Sequence, residues 1–148
     1  MVSKQDVLNL MNEAEAVYLA TIGETGPRIR ALVNLRRADR YPGASKTCRT
    51  DDFTVFLSTS AASDKVREIR ANPAVALYYC DAERFHGVTV NGRAEVLDNP
   101  DLKNALWSWD WRVYWPDGAS DPDFVVVRVK ADEVGGWWSG KPFRLDAP

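Results

Sequence analysis

The apolar positions begin on a helical period. Val7, Leu8, Leu10, Met11 and Ala14 share one side of a helix that Ser3 is placed to cap and that runs to about Ala16. The period then drops to two. Val17 to Gly23 is β-branched and aromatic, Glu24 to Gly26 reads as a turn, and Arg28 to Arg36 alternates cationic or polar with apolar residues, so the pair predicts a hairpin with one buried face. Arg37 to Asp52 loses the pattern and contains Pro42 and Gly43, which predicts a long loop. Phe53 to Thr59 restores strand character. DKVREIRAN follows as a short helix that Pro73 ends, because the residue before proline avoids the helical region. AVALYYCD and HGVTVNGRAEVLD predict two further strands joined through Ala82 to Phe85. A third helix is expected at Pro100 with Asn99 as its cap, carrying Trp107, Trp111 and Trp115 on one stripe, and DGASDPD closes it. FVVVRVK and EVGGWWSG finish the chain as β segments, with a bulge expected at Gly135 and Gly136.

Six or seven short strands joined mostly by hairpins do not alternate regularly with helices. A doubly wound parallel sheet is therefore disfavoured, and the expectation is an α+β fold, a small antiparallel barrel with peripheral helices. The 148 residues suit a single domain, 1–148, with a core large enough to stand without staples. Composition narrows the function classes. A net charge of −2 lacks the basic excess that tracks a phosphate backbone, so no nucleic-acid partner is expected. No apolar run approaches the ~18 residues that cross a bilayer, and the N-terminal stretch has no signal-peptide core, so a cytoplasmic protein without membrane contact is expected. Cys48 and Cys80 lie far apart outside any CxxC spacing and read as free thiols, and a single histidine, His86, excludes multi-histidine metal sites.

The chemistry concentrates in STSAASDKVREIRANP, Ser58 to Pro73. Ser58, Thr59, Ser60 and Ser63 offer hydroxyl donors, the helix starting near Ser63 or Asp64 offers free N–H groups, and Lys65 and Arg67 put full positive charges where the helix end is already partly positive. A phosphate monoester resolves that conflict, since it needs several donors converging on oxygens that carry nearly two negative charges. Asp64 counts against it unless its carboxylate faces solvent. Arg28 and Arg30 project to one face of their strand at period two, with Leu32 and Asn34. These cations either complete a phosphate cradle or sit in solvent on the barrel exterior beside a solvated surface helix.

The succession ATIGETGPRIRALVNL, FTVFLSTSAASDKVREIRANPAVALYY, VTVNGRAEVLDNP and a late tryptophan strand resembles the pyridoxamine 5'-phosphate oxidase-like split barrels, in particular their small general stress protein subgroup. The resemblance covers nearly the whole chain. It implies a split β-barrel homodimer holding FMN at the subunit interface. Arg30, Ser63 and Lys65 match the phosphate contacts, Ala31, Leu32, Val33 and Asn34 through Leu35 match the strand beside the isoalloxazine ring, Ser58 and Thr59 match a Tyr-Thr pair, and Trp137 or Trp138 matches the late tryptophan, Trp138 being taken as the cofactor contact.

Two departures concern catalysis. Gly87 stands where the oxidase has a flavin-contacting glutamine, and WWSGKPFRLDAP lacks the histidine of the oxidase's substrate motif, so oxidation of pyridoxamine phosphate is not expected. The expectation is an FMN-dependent oxidoreductase with a nicotinamide donor or a small electrophile as reactant. Its alternatives are a flavin-binding stress sensor or carrier without turnover, and the same groove holding F420 or haem. The tryptophan stripe is expected in core or subunit interface, with a flavin-stacking wall or substrate pocket as the alternative.

Overall fold

The computed structural model describes residues 1–146. It contains seven strands in one antiparallel sheet and four α-helices. Helix α1 (Lys4–Glu13) is fixed at its start by a capping box, in which the Ser3 hydroxyl accepts from the Asp6 N–H and the Asp6 carboxylate accepts from the Ser3 N–H. It stops three residues before the expected end, where Ala14 turns to extended backbone. Strands β1 (Ala16–Gly23) and β2 (Gly26–Val33) form the expected hairpin, with Gly23 opposite Gly26 across a two-residue loop.

The long segment that follows is not wholly loop, because Ala44–Cys48 forms a short helix, α2. Its organiser is Arg36, a buried cation whose Nη1 donates to the Cys48 carbonyl at 2.8 Å, whose Nη2 donates to the Thr50 carbonyl at 3.1 Å, and whose Nε donates to Asn12 Oδ1 at 2.9 Å. Pattern reading misses such a helix, since five residues are too few to show a period.

Strand β3 (Val55–Ser60) leads into α3 (Asp64–Ala71), and β4 (Ala74–Asp81) and β5 (His86–Leu97) follow as an antiparallel pair. Helix α4 (Pro100–Leu106) has the expected Asn99 cap, the side chain accepting from the Leu102 N–H at 3.0 Å, but it ends before the tryptophans. Trp107 is extended and Trp109–Val113 is a 3-10 turn, so the stripe does not lie on one helix. A run of large aromatics loses side-chain freedom in a helix and has little propensity to continue one. The three rings nevertheless converge, by packing edge to face on one another and on Phe124.

At the C-terminal end, β6 (Phe124–Trp138) is one long strand and β7 (Lys141–Arg144) pairs back onto it. The register shift on β5 lies between Asn91 and Gly92, leaving Asp132 as the extra residue on β6. The bulge expected at Gly135 and Gly136 is therefore at Asp132 instead. Those glycines serve close approach: a Cβ on Gly136 would stand 2.1 Å from the Gly87 carbonyl oxygen, with φ at +148°.

The strand order is β2-β1-β4-β5-β6-β3, with β7 beside β6. One core fills the curl of the sheet, built from Val17, Leu19, Leu77, Val88, Val90 and Val129 and closed by Val7 and Met11 of α1. A second, smaller core of Leu35, Cys48, Leu106, Trp111, Trp115 and Phe124 lies under α2 and α4. No helix among the described residues is long and apolar enough to cross a membrane.

Candidate functional site between two open strand edges

The two ends of the strand order are β2 and β3, and each is paired on one side only. Unpaired strand edges present free N–H and C=O groups. Curling of the sheet brings these edges together, so that Ala31, Leu32 and Val33 of β2 and Ser58, Thr59 and Ser60 of β3 line the same groove of about 450 Å³. The third side of the groove is Trp111, Tyr114 and Trp115. The hydroxyl of Ser58 is buried there without a hydrogen-bond partner. A buried polar group normally finds a partner, so this hydroxyl is an exception among the described residues.

Next in the chain to the groove's Ala31, but outside the lining, stands Arg30, a member of a cluster of charges. Arg30 Nη2 pairs with Glu68 Oε1 at 2.9 Å and its Nη1 donates to Thr21 Oγ1 at 2.7 Å; Arg28 Nη1 pairs with Glu68 Oε2 at 2.9 Å. Glu68 is buried on the face of α3 turned to the sheet, and Thr21 donates to its Oε1 at 2.7 Å. That hydroxyl, together with the two arginines, holds the Glu68 carboxyl below its ordinary value against the opposing effect of burial. The arginines are thus not solvent-facing ornaments of the barrel: they lie on the side of β2 that packs toward α3.

Lys65 is half-buried, and among the described residues it forms no ion pair or hydrogen bond. Burial, and then the positive charge of Arg30, pull its pKa below the ordinary lysine value. Asp64 is half-exposed but belongs to the cluster: it pairs with Arg67 at 2.7 Å and more loosely with Arg28 at 3.4 Å, and its charge acts on Lys65. Ser63 begins α3 but does not cap it with its side chain, because its hydroxyl donates to the Ser60 carbonyl at 2.7 Å. The first-turn N–H groups of α3 are left without a side-chain acceptor. Four cations (Arg28, Arg30, Lys65, Arg67) face three carboxylates (Glu24, Asp64, Glu68), an excess of one positive charge.

The residues singled out by sequence divide into three groups. Ala31, Leu32, Val33, Ser58 and Thr59 come together in the groove; Arg30, Ser63 and Lys65 are outside its lining, Ser63 donating to the carbonyl of the groove's Ser60 and Lys65 standing near Arg30. Asn34 lies past the end of β2 and its side chain is committed elsewhere, donating to the Met11 and Ala14 carbonyls at 2.8 and 2.9 Å and so tying down the end of α1. Trp138 is apart from the groove of its own chain. It stacks on His86 with ring centroids 4.0 Å apart and lines a separate, more polar cavity of about 530 Å³ that includes Glu13 and Asp81. His86 is held locally, its Nδ1 accepting from the Ser139 N–H at 3.1 Å. Sequence reasoning missed Glu68 and Thr21, and of the aromatic wall it saw the stripe but not the place. The one available signal for Glu68 was its position one turn after Asp64 on the same short helix.

A curled antiparallel sheet that stays open between the two end strands of its order defines a split-barrel protein. Residues 3–138 match the family model described as pyridoxamine 5'-phosphate oxidase, and the chain belongs to the pyridoxamine 5'-phosphate oxidase-like family. General stress protein 26 of Bacillus subtilis (strain 168) is 27% identical over 134 residues, spanning 88% of this chain and 85% of that protein. The fold is shared with a protein related to general stress protein 26 from Clostridium acetobutylicum, at TM-score 0.78 and 23% identity over 98% of this chain and 96% of that one. It is shared also with general stress protein 26 from Bacillus anthracis str. Sterne, at TM-score 0.73 and 18% identity over 96% and 98% of the two chains.

Proposed function

We propose that this protein binds FMN in the groove between β2 and β3, with the phosphate at the start of α3, and acts as a flavin-dependent oxidoreductase. The observation that carries the reading is Lys65: a half-buried cation without an ion pair beside Arg30, at a helix start whose cap hydroxyl is turned away. One unneutralised positive charge and the free N–H groups at the start of α3 suit a phosphate monoester. Lys65, Arg30, Ser63 and the first N–H groups of α3 would hold the phosphate, Thr59 and the orphaned Ser58 hydroxyl would serve the polar chain next to it, and the open edge of β2 from Ala31 to Val33 would hydrogen-bond the ring. The flavin would supply the exchange of electrons with a nicotinamide donor or a small electrophile, and the protein its placement and electrostatics.

A homodimer fits the outward face of β1, β2 and β4. Tyr18, Ile22, Ile29, Val33 and Tyr78 share that face by register, and each is at least a third exposed. A contiguous apolar sheet face of this kind marks an interaction surface. Carriage of flavin without turnover is the second reading. It is favoured by the C-terminal segment, which carries no histidine and whose Arg144 pairs with Glu133 at 3.1 Å.

The test is FMN titration of the purified protein and of Lys65→Ala, with Lys130→Ala as an exposed control. Loss of one charge-assisted contact predicts at least about tenfold weaker FMN binding for Lys65→Ala and none for the control. An unchanged dissociation constant in Lys65→Ala refutes the phosphate placement. Anaerobic addition of reduced nicotinamide then separates the two readings, since bleaching of bound flavin requires turnover chemistry.

A further inference from the structure

The segment 107–115 is a poor helix and an expensive run of aromatics, yet it is held rigidly. Trp111 and Trp115 are both 92% buried and meet at 76° with ring centroids 6.0 Å apart. Phe124 backs both rings at 5.9 and 5.0 Å. Trp115 Nε1 donates to Asp123 Oδ2 at 3.2 Å, and Asp123 Oδ1 accepts from the Ala62 N–H at 3.1 Å, so the aromatic segment and the turn before α3 share one carboxylate. Tyr114 packs at 6.0 Å on Trp115 but keeps 71% of its surface exposed, and it lines the groove. Opposite lies the β2 edge, where the small Ala31 leaves room. One side of the groove is thus aromatic and preorganised, the other is extended backbone, and hydroxyls line it between Ser58 and Ser60.

We propose that Trp111, Tyr114 and Trp115 form a stacking wall that selects a flat, electron-poor fused ring system for this groove, with Tyr114 as the contact face. The inference rests on the FMN reading above and deepens it, because it assigns the ring end of the site to a segment distinct from the phosphate end. Electron-rich phenol and indole rings stack favourably on an electron-poor ring in offset or tilted arrangements, and the frame of Trp111, Trp115 and Phe124 means that little order has to be gained on binding. Tyr114 contributes specificity for the ring, while Lys65 and Arg30 contribute affinity for the phosphate. The two contributions separate by choice of probe.

Riboflavin and FMN are titrated against the wild type, Tyr114→Ala, Tyr114→Phe and Trp109→Ala. Loss of one stacking partner predicts that Tyr114→Ala weakens riboflavin and FMN alike by about tenfold. Tyr114→Phe, which keeps the ring, retains wild-type affinity for both. Trp109, 73% exposed and outside the groove lining, is the control that changes neither. Because Tyr114 is a surface side chain, its variants keep the wild-type melting temperature, and a melt checks this. If FMN binds the wild type and depends on Lys65 while Tyr114→Ala binds both flavins as the wild type does, the stacking wall is refuted and the phosphate placement stands. If the wild type binds neither flavin, the wall falls together with the FMN reading.

Discussion

Arg36→Met tests how the groove's aromatic wall is supported from behind. Arg36 is 2% exposed and forms no ion pair among the described residues; its guanidinium is held chiefly by dipoles, the Asn12 amide oxygen and the Cys48 and Thr50 carbonyls, at 2.8 to 3.1 Å, with the Asp52 charge favouring it from beyond ion-pair distance. Burial accordingly draws its pKa below the usual arginine value. Each hydrogen bond to a charged group contributes roughly 1.5–3 kcal/mol, so three give about 4–9 kcal/mol before desolvation of the cation is subtracted. Methionine fills similar volume and removes that desolvation cost, but strands two carbonyls. The expected net loss is about 3 kcal/mol, which for a chain of this size lowers the melting temperature by roughly 6–12 °C. Arg36→Lys keeps the charge yet cannot reach three acceptors on separate segments, and it falls on the same side of the wild type. The assay is reversible urea unfolding followed by tryptophan emission, with hydrogen exchange over residues 37–52 as the local readout. Exchange there accelerates in both variants, because α2 packs on α4 and Tyr41 on Trp111 at 5.9 Å. A methionine variant as stable as the wild type, or more so, refutes the reasoning: the buried cation would then be a net cost, as some buried ionic groups are.

Three further outcomes follow from the geometry. The Glu68 carboxyl titrates below its ordinary value in the folded chain, so its stabilising contribution is complete above about pH 4.3 and is lost as pH falls through the lower folded-state value. The melting-temperature gap between wild type and Glu68→Gln should therefore close on acidification from roughly pH 5 to pH 3, and a gap that stays constant contradicts the network. Cys48 is fully buried and its thiol is pushed up to about 12, so an aromatic disulfide reagent at neutral pH should leave it unmodified in the native protein and react with it after unfolding; prompt native labelling of Cys48 contradicts the packing under α2. Gly136→Ala combines a positive φ of +148° with a Cβ only 2.1 Å from the Gly87 carbonyl, and is expected to cost at least about 2 kcal/mol in urea unfolding; Gly118→Ala, whose added Cβ meets nothing closer than 3.6 Å, should cost less.

What was legible in the chain was whatever one element encodes by itself. The Ser3 capping box, the Asn99 cap and the hairpin of β1 and β2 are local patterns, and all three stand in the structure. The members of the charge cluster were legible too, since Arg28 and Arg30 sit at period two and Ser63 and Lys65 at a helix start. Their organising partner was not. Glu68 gains its role only because α3 packs on β1 and β5, within reach of the arginines of β2, which places a carboxylate of one element against a hydroxyl and two guanidinium groups of others, 38 to 47 residues away in sequence. The Trp107–Trp115 spacing failed differently. Four-residue recurrence implied one helix, but the rings meet through tertiary packing around Phe124 while the backbone goes extended and then 3-10, so side-chain convergence was read correctly from a backbone that does not exist. The groove itself is the limiting case. It exists because the first and last strands of the sheet order face each other, a property of the whole curl that no window of the sequence contains. Every element of the proposed site is therefore cheap to recognise and hard to place: Ser58 and the exposed Tyr114, on two different segments, line the opening between β2 and β3, while Lys65 stands beside Arg30, the residue before the groove's Ala31.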